Sequence, residues 1–179
     1  IELASLAGSM TAHSLAFAAL LDAYTGDVAR CRDRATAARV AIGDAEVCFV
    51  LDWVAWARGA LEVSLGNYEA ADDALEWHTR EFEHADNADP IHLTFVPDKI
   101  EALVALGDLD RAERLVELLR TMGERFGRPP TQAAAERSRG AILAARGDLD
   151  AAEAACHGAL THLEVAPVPL EVARTLLLL

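Results

Sequence analysis

The chain has 179 residues, enough for one domain with a substantial core, and 53% of them are hydrophobic while only 6% are aromatic. The apolar residues are mostly Ala and Leu and few are β-branched, which favours helices packed at short range and excludes a large sheet. A formal net charge of −13 is repelled by phosphate backbones and anionic lipid, so direct nucleic-acid contact and membrane binding are not expected of this segment.

Helical apolar spacing sets the predicted elements. Ile1 to about Gly8 reads as the tail of an earlier helix. Residues 9–24 and 28–41 make a first helix pair, about 9–42. Its opening run, Leu3 to Leu21, carries no formal charge but holds Ser5, Ser9, Thr11, His13 and Ser14 and lacks a basic leader, so it reads as a soluble buried helix. Residues 45–65 and 68–84 make a second pair, 45–84, and 86–90 a polar linker. Residues 91–106 and 109–126 make a third pair, 91–126. Residues 127–130 connect it to a fourth, 131–163, and their prolines can start a helix but not continue one. Pro167 and Pro169 then introduce the first helix of a fifth pair, 170–179. The chain starts without Met and ends on Leu176 to Leu179, which reads as a fragment of a longer chain whose apolar last helix offers a surface for self-association.

One phrase recurs four times, as Gly26-Asp27-Val28, Gly66-Asn67-Tyr68, Gly107-Asp108-Leu109 and Gly147-Asp148-Leu149, with glycines 40, 41 and 40 residues apart. Constant spacing is the mark of a solenoid. The glycine can end a helix in a left-handed conformation, the Asp or Asn can accept from the free N–H groups of the next helix, and the apolar residue anchors the turn. Five residues after each glycine stand Cys31, Ala71, Ala112 and Ala152, and seven before it Ala19, Gly59, Ile100 and Gly140. Small residues on facing helices allow close approach of the two axes. Twelve after come Ala38, His78, Leu119 and Ala159, where His78 reads as a packing histidine. The predicted fold class is therefore all-α, a right-handed tetratricopeptide-like superhelix of antiparallel helix pairs with a period of about 40 residues.

The run Leu65 to Ala71 resembles the central turn of a tetratricopeptide repeat, as do Leu106 to Ala112 and Arg146 to Ala152. Asp98-Lys99-Ile100-Glu101-Ala102-Leu103, closing on Gly107, and Glu171-Val172-Ala173-Arg174-Thr175 are similar to stretches in the helical-repeat region of ATP-dependent LuxR-type transcriptional regulators, the group that includes the maltose regulon activator. The resemblance covers nearly the whole chain through individually loose motifs. It implies a cytoplasmic regulatory region that binds a protein, peptide or small-molecule inducer, with ATP bound only by a separate module and DNA by a helix-turn-helix module. This segment contains no GxxxxGK[ST] phosphate loop and calls for no cofactor of its own. The alternative is a freestanding tetratricopeptide-like scaffold for a peptide or protein.

No catalytic set stands out: there is no GxSxG or HExxH, and Cys156 and His157 diverge on a helix, so the chain reads as a non-enzyme. Cys31, Cys48 and Cys156 are too widely spaced for a zinc motif or a disulfide framework, which fits a reducing compartment. His78, Glu81 and His84 fall at three-residue steps, either as solvated side chains or as a weak metal site; the former is preferred, and no metal is assigned. Nine acids and one base between Glu62 and Asp89 read as a solvated acidic face.

The candidate binding surface is the concave groove lined by the first helix of each pair. Repeat phase places His13, Leu20, Tyr24, Trp53, Trp56, Val63, Thr94, Glu101 and Arg137 there. Trp53 and Trp56 share a helix face and either line a ligand site or fill the space between pairs. Arg137 either faces the groove or pairs with Glu101 or Asp98.

Overall fold

The computed structural model describes the backbone of residues 2–43, 48–83 and 93–179 and the side chains of residues 10–43, 50–80 and 93–179. The fold is all-α, with no strand among the described residues. In chain order the helices are α1 (Glu2–Thr25), α2 (Val28–Ile42), α3 (Cys48–Ser64), α4 (Tyr68–Glu83), α5 (Val96–Leu106), α6 (Leu109–Arg125), α7 (Pro129–Ala145), α8 (Leu149–Val165) and α9 (Pro169–Leu178).

The recurring phrase builds the same turn four times. Gly26, Gly66, Gly107 and Gly147 have φ of 78°, 73°, 80° and 83°, the left-handed region where a Cβ is costly. After each, the Asp or Asn N–H donates back to a carbonyl five residues earlier, as in Asp27 to Asp22 and Asp108 to Leu103, both 2.9 Å. The glycine N–H bonds three residues back, which completes a Schellman motif and satisfies the last carbonyls of the helix. The Asp carboxylates then cap the next helix: Asp27 accepts from the Arg30 N–H, Asp108 from Arg111 and Asp148 from Ala151. Asn67 differs, because its amide donates instead to Glu62 Oε2 at 2.8 Å.

Close approach follows the small residues. A Cβ on Gly59 would lie 2.5 Å from Leu75 Cγ, and one on Gly140 would lie 3.1 Å from Cys156 Sγ and 3.2 Å from the Ala152 carbonyl. Each glycine, seven residues before its hinge, thus faces the residue nine after it. Ala19 with Ala35, and Ile100 with Val116, hold the same two phases and are likewise buried. The residues five after the hinges, Cys31, Ala71, Ala112 and Ala152, are all buried too, as is His78.

Two element boundaries depart most from the sequence-based expectation, while α7 starts at Pro129, inside the expected connector 127–130, and α8 runs on to Val165. α1 runs without a break from Glu2 to Thr25, so the stretch through Gly8 belongs to the first helix of the first pair. One glycine inside a long Ala/Leu-rich helix costs only about 1 kcal/mol and does not end it. α5 starts at Val96 rather than near residue 91, with Pro97 in its first turn, where its missing N–H removes no intrahelical bond. The expected linker 86–90, the short stretch 44–47 and His84 lie outside the described residues.

The chain divides into two compact units, residues 1–78 and 79–179, with the division falling inside α4. In the first, α1, α2 and α3 share a core of mostly short side chains such as Ala12, Ala16, Ala38 and Ala57 around Leu20, Val54 and Leu61. In the second, α7 packs on α6 and α8, while α9 lies on α7 and α8. At the end of α9, Leu176 to Leu179 are exposed. Among the described residues no helix is long and apolar enough to cross a membrane.

Candidate functional site

In the first unit the aromatic residues of α1 and α3 form one connected cluster. Trp53 and Trp56, one turn apart on α3, have ring centroids 5.4 Å apart. Trp53 meets Phe17 edge-on at 5.2 Å and His13 at 6.4 Å, and Trp56 meets Tyr24 edge-on at 6.3 Å. Edge-to-face pairs of this kind set ring against ring with defined geometry. Both tryptophans pack against the core with one side and stay partly exposed, while Phe17 and Tyr24 are 45% and 40% exposed. Four of the residues placed by repeat phase, His13, Tyr24, Trp53 and Trp56, therefore come together.

The remaining residues of that set fall elsewhere. Leu20 and Val63 are buried, at 3% and 8% exposure, with Leu20 in the shared core. Thr94 is exposed in the turn before α5. Phe17 was absent from the expected set, although it stands four residues after His13 on the same helix face, a spacing that could have shown it.

Glu101 and Arg137 belong to an ion network in the second unit. Arg174 on α9 donates through Nη2 to Asp98 Oδ1 at 2.6 Å and to Glu101 Oε2 at 2.8 Å, both on α5. Its Nη1 lies 3.7 Å from Glu171 Oε1. Arg137 on α7 donates through Nε to Glu171 Oε2 at 3.3 Å. Arg137 thus pairs with Glu171, and it is Arg174 that takes Asp98 and Glu101. Arg137 and Asp98 are only 6% and 2% exposed. Burial by itself would lower the Arg174 pKa, but the charges of Asp98, Glu101 and Glu171 push it above the usual guanidinium range. Lys99, the single lysine of the chain, is fully buried beside Asp98 in sequence. The two stretches that carry the regulator resemblance, around Asp98 and around Arg174, meet through this network.

Comparison with protein-family profiles, curated proteins and solved structures finds no match.

Among the described residues no group of three or more His, Cys, Asp or Glu side chains could hold a metal ion. The Glu81 side chain and His84 lie outside the described side chains, and His78 is buried with Nε2 2.9 Å from Asp52 Oδ1. Cys31 and Cys156 are free and buried, and burial pushes both thiols above the ordinary range, which makes them poor nucleophiles. Asp22, 4% exposed, receives Arg34 Nη1 at 2.7 Å and Arg30 Nε at 3.3 Å and ties α1 to α2.

Proposed function

We propose that this chain is the partner- or inducer-binding helical-repeat region of a LuxR-type ATP-dependent transcriptional regulator in the cytoplasm, with its helix pairs stacked as a right-handed tetratricopeptide-like superhelix whose repeat has a period of about 40 residues. Four hinges of one design at near-constant spacing support the repeat reading. The resemblance of the Asp98 and Glu171–Thr175 stretches supports the family. ATP hydrolysis and DNA contact belong, on this reading, to other modules of the regulator, and the exposed leucines of α9 supply a surface for self-association.

The observation that carries the binding role is the partly exposed ring cluster of His13, Phe17, Tyr24, Trp53 and Trp56. Aromatic anchors set in a rigid helical surface bury large apolar area at low entropic cost. Selection of a displayed peptide library on the chain tests this. Peptides that bind the wild type and lose at least about tenfold affinity with Phe17→Ala/Tyr24→Ala support it, since ΔΔG of 1.4 kcal/mol is tenfold. Failure to enrich any peptide, or equal affinity for the variant, overturns it. For the family, genomic sequence with no phosphate-loop module upstream and no helix-turn-helix downstream would remove the regulator reading while leaving the peptide test standing.

A further inference from the structure

The other face of α3 carries a different feature. At about 100° per residue, Val54, Arg58 and Leu61 lie across the helix from Trp53 and Trp56. They face α2 over a cleft of about 560 Å³, within the size range of small-molecule sites. Its floor is apolar, with Ala35, Val54 and Leu61 exposed by only 3%, 6% and 1%. Its walls carry Arg32, Arg39 and Arg58 against a single acid, Glu62.

That balance is inverted with respect to the chain, whose net charge is −13. Arg32 Nη2 lies 2.9 Å from Glu62 Oε1, and Glu62 also accepts from Asn67, so the one acid is already engaged. Burial would raise the Glu62 pKa, but the bonds from Asn67 and Arg32 and the charges of Arg32 and Arg58 hold it below the usual carboxylate range. Arg30 and Arg34, on the same helix as Arg32 and Arg39, are taken up by Asp22. Arg39 and Arg58 have no ion pair among the described residues. Like charges gathered over an apolar floor repel each other until an anion neutralises them, and planar guanidinium groups suit phosphate or carboxylate oxygens.

We infer that the α2–α3 cleft is a binding site for a small amphipathic organic anion, its phosphate or carboxylate held by Arg39 and Arg58 and its apolar body seated on Ala35, Val54 and Leu61. The site is separate from the aromatic cluster and its test does not depend on the regulator reading.

Titration of the full 179-residue chain with 1-naphthyl phosphate and with 1-naphthoate, followed by fluorescence anisotropy of the naphthyl group, tests it, with neutral 1-naphthol as the counterpart. Saturable binding of at least one anion, at least tenfold tighter than naphthol and weakened by added NaCl, is the expected result; the tighter anion identifies the head group. Arg39→Gln/Arg58→Gln should lose at least tenfold with an unchanged far-UV spectrum, whereas Phe17→Ala/Tyr24→Ala should bind as wild type. Should the glutamine variant unfold, Val54→Phe, which fills the floor and keeps both arginines, must lose the binding instead. Equal affinity for naphthol, no saturation by either anion, or undiminished binding in a folded Arg39→Gln/Arg58→Gln variant overturns the assignment.

Discussion

Replacing Arg174 by Met keeps the unbranched stem and removes the guanidinium that joins α9 to α5. The energetic weight falls on Asp98, whose side chain is 2% exposed and would lose its 2.6 Å donor, whereas Glu101 is 43% exposed and can turn to water. Breaking a buried pair from one side costs about 3–5 kcal/mol because the remaining charge stays desolvated. Arg174 itself is 19% exposed and Asp98 keeps other contacts, which brings the expected cost to about 2–4 kcal/mol. With a urea dependence of about 2 kcal/mol/M, the midpoint should fall by roughly 1–2 M. Far-UV circular dichroism is the suitable readout, because it follows every helix, whereas Trp53, Trp56 and Trp77 all precede α5 and none lies on α5 to α9. A cycle with Asp98→Asn should show a coupling of at least about 1 kcal/mol. A loss below about 0.5 kcal/mol in Arg174→Met, or additivity of the two changes within about 0.5 kcal/mol, would refute the claim that this network holds α9 in place.

Gly59→Ala sets two effects against each other. Better helix propensity is worth about 1 kcal/mol, but the new methyl would meet Leu75 Cγ at 2.5 Å in a fully buried site, and overpacking costs about 1–3 kcal/mol. The melting temperature should therefore fall, and adding Leu75→Val should recover part of the loss; a rise for Gly59→Ala alone contradicts the close approach of α3 and α4. In a Cys48→Ser variant, Cys31 and Cys156 should react with a disulfide reagent at pH 8 slowly in the native protein and at full rate in denaturant. Since burial raises both thiol pKa values in the folded state, their contribution to stability is complete below the ordinary thiol range and declines as pH rises through the raised value. Stability that climbs from pH 8 to 10 would oppose this.

The hinges were the most legible part of the chain, because each requirement of the turn selects a residue type: glycine for positive φ, Asp for the cap, a small residue where helices close up. Asn67 shows the limit of that logic, since the same slot found a better acceptor in Glu62. The start of α5 was misplaced because an apolar run precedes Pro97, and hydrophobic spacing does not mark where a proline makes the first turn cheapest. In the candidate site, repeat phase brought the rings of α1 and α3 to one surface but also assigned Leu20 and Val63 to it. Phase fixes which way a residue points, not how much neighbouring helices cover it. The partner of Arg137 was beyond reach for a related reason: choosing Glu171 over Asp98 or Glu101 depends on side-chain lengths across three helices.

The composition of the basic residues has an experimental corollary. Fifteen of the sixteen are arginine, and the one side-chain amine, Lys99, is fully enclosed within α5. Acylating reagents, amine cross-linkers and lysine-modifying enzymes find no target on the described surface. Acetylation of Lys99 can then proceed only when residues around α5 open, so its rate becomes a clock for that opening, read at a single nitrogen by mass spectrometry.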